Sequence, residues 1–420
     1  MNTSQTSKNP DRYDVVVLGA GYAGLMAALR LSRPKWRLRV ALVSASDQFL
    51  ERVRLQESIV APVAPRIASI LAFLTGTTID FIVGSVVSLD VEQRHVGILA
   101  STGEREIRFD QAIYALGSTI DIDNAPGVSM YAYRLEAGNG THSAQALRAR
   151  LQENADRPIR VVTVGGAETS VEVAGEIKTA WPNVVMTMVS RSRCGDFNSN
   201  RVELAVRTEL ERLGVSMIDG ETVTQLRQNE VITKSGRSIA CDICVWSGGL
   251  RSSPVARDAG LATDWQGRIL VDPNLRSISH AHIFAAGDAA HPIAPTGAPY
   301  RLSAFAALVS GAHAADVITA QESKQQLQPF SFSTFGQGVA IGHGGVGFFS
   351  YPDDKQKLFI LKGRTARRVR NFFVWFATYT LRLERKFPGF FLWPGRRRVS
   401  WGQANAAIQD AEPAKNLETA

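Results

Sequence analysis

Two glycine-rich hexapeptides, Gly19-Ala20-Gly21-Tyr22-Ala23-Gly24 and Gly165-Gly166-Ala167-Glu168-Thr169-Ser170, are the segments of this sequence best suited to hold a phosphate. Each follows a short run rich in β-branched residues, Tyr13 to Leu18 and Ile159 to Val164, and each leads into a stretch of helical, apolar character. Strand, tight turn and helix in that order form a cradle. The first glycine permits the turn, the second lets the backbone approach a pyrophosphate, and the third lets helix and strand pack closely. The N–H groups and positive dipole end of the helix then face the phosphates. A further strand closes each unit, at Arg39 to Ser44 and Val184 to Ser190, and Gly19 to Ser44 and Gly165 to Ser190 are both 25 residues. The pattern reads as a duplicated dinucleotide-binding unit. The second copy departs from it at Ala167 and Ser170, which places a pyrophosphate slightly further out.

The ends of the closing strands bear on which dinucleotide each unit takes. An acid there binds the ribose 2′-hydroxyl and repels a 2′-phosphate. Ser44 occupies the place in the first unit, so its grip on the adenine ribose is expected to be weak. Ser190 occupies it in the second and is followed by Arg191 and Arg193, which predicts a preference for NADPH over NADH.

Two further motifs fall between and after these units: Tyr114-Ala115-Leu116-Gly117-Ser118 behind a strand, and Ile283-Phe284-Ala285-Ala286-Gly287-Asp288. All four in this order, over residues 13 to 320, resemble the two-dinucleotide flavoproteins of the pyridine nucleotide-disulfide oxidoreductase superfamily, with type II NADH dehydrogenase-like proteins the nearest likeness. The resemblance implies an α/β fold of two Rossmann-like dinucleotide-binding domains with a smaller C-terminal cap domain. FAD would lie on residues 10–125 and 265–325, NAD(P)H on residues 126–264, and the cap and its basic segment on 326–402, with a tail at 403–420. It implies flavin contacts from Gly19, Gly21, Tyr22, Ala23, Gly24, Ser44, Ala115 and Gly117, and Asp288 accepting a hydrogen bond from the ribityl chain. Phe49 to Leu55 resembles the flavin-lining loop of the family's bacterial branch and adds Arg52. Gly165, Gly166, Ala167, Ser190, Arg191 and Gly248 would contact the nicotinamide dinucleotide. Glu172 matches the glutamate that holds the nicotinamide against the flavin, and is the expected catalytic residue. A noncovalent FAD is expected, since the stretch from Gly19 to Ser44 has no cysteine or histidine to tether it. No metal site is expected.

The same comparison excludes neighbours. Disulfide reductases carry a redox cysteine pair just after the first unit, where this chain has Leu50 to Glu57 and no cysteine. Sulfide-oxidising quinone reductases also need cysteines in the flavin half. Cys241 and Cys244 have the spacing of a redox pair but sit in a strand-like run, whereas such a pair prefers a helix N-terminus. A flavin-dependent NAD(P)H dehydrogenase passing electrons to a small acceptor, quinone or quinone-like, follows. The helix after the Gly-Asp motif, Ala304 to Gly311, lacks the glutamines that touch quinone in type II enzymes, so the acceptor stays open. His291, Arg301 and His313 are candidate donors on the acceptor side. Gly287 to Pro292 with Pro295-Thr296-Gly297 also resembles aromatic hydroxylases, and a redox-responsive binding protein is a third alternative.

Charge singles out one segment. Between Lys355 and Trp401 stand thirteen Lys and Arg against one acid, so +12 lies there and −4 in the rest of a chain whose net charge is +8. Zinc, helix-turn-helix and aromatic-platform signals are missing, and no nucleic-acid partner is expected. The polar N-terminus and three cysteines suggest the cytoplasm. Arg364 to Arg385 suits a helix with Val369, Phe372, Phe373, Phe376 and Leu383 on one side and Arg370 and Arg382 elsewhere. Such a helix suits the inner surface of a membrane, a cap on the fold, or a second copy of the chain in a homodimer.

Overall fold

The computed structural model describes residues 11–61, 67–136, 140–197, 199–292, 302–322, 329–332, 336–350 and 356–392. Its first unit is a parallel sheet whose central strand, Arg12–Leu18, lies between Val40–Ser44 and the long strand Gly103–Tyr114, with Asp80–Val83 beyond. Val15 to Leu18 and Val40 to Val43 are almost fully buried, as continuous apolar strands must be when helices cover both faces of a sheet. Besides Arg12–Leu18, Gly103–Tyr114 serves two further partners. Its first half joins the antiparallel strands Ser85–Asp90 and His95–Ala100, and its second half pairs with Ile283–Ala285, which returns to the sheet from far along the chain. That return carries Gly287 and Asp288 to the carboxyl ends of the parallel strands, where ligands bind in sheets of this kind.

The second unit is a five-stranded parallel sheet in the order Ala132–Tyr133, Ile243–Trp246, Arg160–Val164, Val185–Val189, Val215–Ile218. Helices Tyr22–Leu31 and Glu168–Ala180 occupy equivalent places after the two central strands. A short antiparallel pair, Ser118–Ile120 with Leu250–Ser252, spans the crossing from one unit to the other.

The cap is an antiparallel sheet of Gly336–Ile341, Gly344–Ser350 and Gln356–Lys362, followed by the helix Gly363–Lys386. Val339, Ile341, Val346 and Phe348 pack into the core of the second unit. Gly175 makes this possible, because a Cβ there would stand 2.8 Å from the backbone of Ile341 and Gly342. The far end of the helix behaves differently: Ala377, Leu381 and Phe391 join the core of the first unit. The cap therefore spans both.

The helix does not divide its faces as the sequence predicts. Its buried side is Ala366, Arg370, Ala377, Thr378, Thr380, Leu381 and Glu384, whereas Phe372, Trp375 and Tyr379 are exposed beside Arg368 and Arg382. Small residues let the helix approach closely, and the two charges on that face are tolerable because each meets an opposite charge. Glu384 is fully buried, 3.0 Å from Arg30, and accepts from the Phe391 N–H at 2.9 Å. Arg30 also donates to Asp316 at 2.9 and 3.0 Å and to the Phe391 carbonyl at 3.0 Å. Removing one partner strands the other charge away from water, so Glu384→Ala is expected to lower stability by about 3 kcal/mol, measured by urea unfolding of the flavin-loaded protein.

Candidate functional site

The first glycine turn is closed by backbone contacts that admit no side chain. Gly19 has φ +100°, and a Cβ on it would run into the Ala115 carbonyl, while a Cβ on Gly24 would run into the Gly19 carbonyl. Gly21 is the exception, with nothing within 4 Å of where its Cβ would be. It is also the N-cap of the helix Tyr22–Leu31, which has no side-chain cap and no acid in its first turn. Open space beside uncapped N–H groups is what a pyrophosphate requires, so the residues fit the dinucleotide the sequence implies. Ala23 touches Gly287, where φ is +67° and a Cβ would meet the Ala23 methyl at 3.1 Å. Tyr22 is tied to two other segments. Its ring packs edge-on against Phe49, its hydroxyl lies 3.3 Å from Thr378 of the cap helix, and burial raises its pKa to about 12.

Asp288 accepts a hydrogen bond from Ser118 at 2.8 Å, and Arg52 donates to the Ser118 carbonyl at 2.6 Å. Gly117 adopts φ +71° just before. Thus Arg52, Ala115, Gly117 and Asp288, which the resemblance puts on the flavin side, come together, with Ser118 as the link that sequence reasoning passed over inside a motif it had already singled out. Ser44 ends its strand partly exposed, and its hydroxyl is 3.4 Å from the Ser46 N–H.

The second turn is more open. Gly165 has φ +133°, and Ser170 stands where the first unit has Gly24, its hydroxyl 2.6 Å from that of Ser247. Ala167 is the exposed N-cap of the helix Glu168–Ala180, again without a side-chain cap. The Ser190 side chain lies under Gly166 and accepts from the Ser192 N–H at 3.2 Å. Arg193 is held by Glu203 at 2.5 Å, which leaves Arg191 exposed and without an ion pair among the described residues. Gly248 follows Trp246, whose indole N–H donates to the Gly248 carbonyl at 2.6 Å.

Glu172 lies on the first turns of this second helix, buried beneath the cap. It accepts from the Ala340 N–H at 3.0 Å, and Arg370 of the cap helix reaches it at 3.0 Å. Arg370 also donates to the Val53 carbonyl at 2.7 Å and lies 3.4 Å from Glu57, both in the loop that carries Arg52. Arg54 sits between Glu51 and Glu57 at 3.0 Å from each, and Arg367 meets Glu176 at 2.9 Å. Burial pushes Glu172 up to about 7, outweighing the opposing pull of Arg370 and of the Ala340 N–H. Glu176 is raised as well, chiefly by burial. Four carboxylates facing three guanidiniums balance when one carboxyl carries a proton, and Glu172 is the one poised to gain or lose it near neutrality. Arg370 was the residue sequence reasoning missed. Its signal was present, as the lone base on a stripe of Ala366, Ala377, Leu381 and Glu384.

Other candidates resolve differently. Cys241 and Cys244 are buried, and burial raises both thiols, Cys241 to about 11. Neither is poised as a thiolate. His313 is buried beside Phe330 and desolvation lowers its pKa to about 4, so it is neutral. His291 lies 2.8 Å from Asp264, which also binds Arg268 at 2.7 Å. Arg301 and the Pro295-Thr296-Gly297 motif lie outside the described residues.

Comparisons with known proteins bear on the family and the fold. A demethylphylloquinone reductase, NdbB, from Synechocystis sp. is 25% identical over 355 residues, covering 79% of this chain and 85% of that protein. A type II NADH:quinone oxidoreductase from Haemophilus influenzae is 24% identical, again over 79% of this chain and 85% of its own. In fold, the chain is similar to the sulfide:quinone oxidoreductase of Aquifex aeolicus, with a TM-score of 0.77 and 17% identity over 90% of this chain and 93% of that one. The family model described as pyridine nucleotide-disulphide oxidoreductase matches residues 13–314. The chain belongs to that family, and is a flavin-dependent pyridine nucleotide oxidoreductase.

Proposed function

We propose that this protein is an NAD(P)H dehydrogenase that holds FAD on its first unit and NAD(P)H on its second, and delivers electrons to a quinone-like small molecule. The observation that carries this reading is the convergence at the interface of the two units. Glu172 from the second helix, the Val53 carbonyl and Glu57 from the segment after the first unit, and Arg370 from the cap are linked there through buried or half-buried contacts, while Arg52 of the same segment donates to the Ser118 carbonyl. Bound FAD supplies the hydride acceptance and electron transfer, and the chain supplies placement and exclusion of water. Glu172 orients the nicotinamide, Asp288 and Ser118 hold the ribityl side, and the cap seals the junction. The complete five-stranded second unit favours this reading over an aromatic hydroxylase. So does the relatedness to two quinone reductases.

The C-terminal helix supports peripheral contact with a membrane surface. Phe372, Trp375 and Tyr379 are 54%, 40% and 37% exposed, with Arg368, Arg382 and Lys386 on the same side. No helix among the described residues is long and apolar enough to cross a membrane.

Mixing the purified flavoprotein with NADPH under anaerobic conditions should bleach its flavin absorbance, and adding quinone should restore it. An oxygenated aromatic product, or a reduced flavin that persists with every acceptor tried, would overturn the reading. NADPH should be preferred to NADH. Arg191→Glu should weaken NADPH roughly tenfold to a hundredfold while changing NADH little, as expected for loss of one charge-assisted hydrogen bond. Equal losses for the two cofactors would sink the preference.

Flavin reduction should follow one ionisation near pH 7. Arg370 favours the charged form of Glu172, so Arg370→Met should move that midpoint to higher pH, and Glu172→Gln should abolish it. A profile unchanged by Glu172→Gln would remove Glu172 from the reacting centre.

A further inference from the structure

The cap carries an open basic groove lined by residues of its own hairpin and helix, none of them from the dinucleotide cradles. A cavity of about 350 Å³ opens between the hairpin tip at His343 and the start of the terminal helix, lined by His343, Arg364, Arg367, Arg368 and Asn371. Three guanidiniums, an imidazole and an amide face one space, and no carboxylate lines it among the described residues. Arg367 is matched from behind by Glu176, but Arg364 and Arg368 make no ion pair with any described residue. Their placement is electrostatically unfavourable for the protein alone. They stand four residues apart on one helix face, where like charges repel, and at the end of the helix where the dipole disfavours cations. That helix has no acid in its first turn to offset them. An arrangement that the fold itself leaves uncompensated is compensated by an anion, and planar guanidinium forks match phosphate oxygens in pairs.

The surroundings indicate what carries the phosphate. One turn beyond Arg368 begins the exposed stripe of Phe372, Trp375 and Tyr379, in which Trp375 stacks on Tyr379 at 4.9 Å. A basic pocket bordered by exposed aromatic rings suits a phosphate attached to apolar chains. The pocket is also remote from the phosphate-facing end of the second helix: Glu176 stands nine residues past Ala167, roughly 13 Å along the axis. We infer that this groove is a headgroup site for an anionic phospholipid, in which Arg364 and Arg368 grip the phosphate and the aromatic stripe lies against the acyl region. The inference rests on the peripheral membrane reading and adds to it a discrete, phosphate-selective contact.

The test uses full-length, flavin-loaded protein and phosphatidylcholine vesicles of matched surface charge, containing either phosphatidic acid or oleate. Co-sedimentation should be roughly tenfold tighter with phosphatidic acid, the equivalent of one charge-assisted hydrogen bond. The double variant R364Q/R368Q should lose that preference, and R382Q/K386Q, which removes as much charge from the same helix outside the groove, should keep it. Equal binding of the wild type to both anionic surfaces, or a preference that survives in R364Q/R368Q, overturns the site and leaves the membrane reading intact. Failure to bind either vesicle at low salt overturns both. Titration with inorganic phosphate identifies the remaining case: binding lost in R364Q/R368Q, without vesicle binding, would assign the groove to free phosphate and overturn the lipid source.

Discussion

The positions of two charged side chains on the buried face of one helix govern how the parts of this protein are joined. Arg370 and Glu384 lie fourteen residues apart on the terminal helix, and neither can be left unpaired so far from water. Arg370 meets Glu172 and Glu57, and Glu384 meets Arg30. The first contact ties the helix to the second dinucleotide unit and to the segment around Val53 and Glu57, the second to the first unit. Apolar packing alone would let the helix slide along a surface of small residues. The two ion pairs fix its register, because any shift strands a charge.

Fixing that register also determines the electrostatics at the junction of the two units. The cap sheet covers Glu172 and donates an N–H to it, and the same covering removes water from its carboxyl. Desolvation then dominates over the nearby guanidinium, which leaves the group balanced between its two protonation states at neutral pH. The cap that shields the junction of the two units from solvent thus also tunes the acid within it.

The two dinucleotide units share a design but not a tightness of packing. In the first, Gly24 lies directly against the Gly19 carbonyl, and no other residue would fit. In the second, Ser170 uses its hydroxyl to reach Ser247, and the exposed Ala167 faces the space beyond.

Most of the architecture was legible in the sequence, because continuous apolar strands, glycine turns and their common 25-residue spacing are local patterns with local physical causes. The strands, the crossover helices and the terminal helix follow from such patterns, whereas the place of the Gly-Asp motif came from the family resemblance. Only the tertiary structure decided which side of that helix is buried. Counted by hydropathy, Phe372 belongs inside and Arg370 outside, and the fold reverses both. An arginine's burial depends on whether a carboxylate waits for it, and Glu172 lies 198 residues away in the chain. The links from Ser118 to Asp288 and from Glu384 to Arg30 escaped for the same reason: pairing between distant residues has no periodicity to read. The sequence by itself determined the two nucleotide cradles and the residue types around them; folding alone determined which charges meet, since that depends on proximity in space and on the loss of water around each pair.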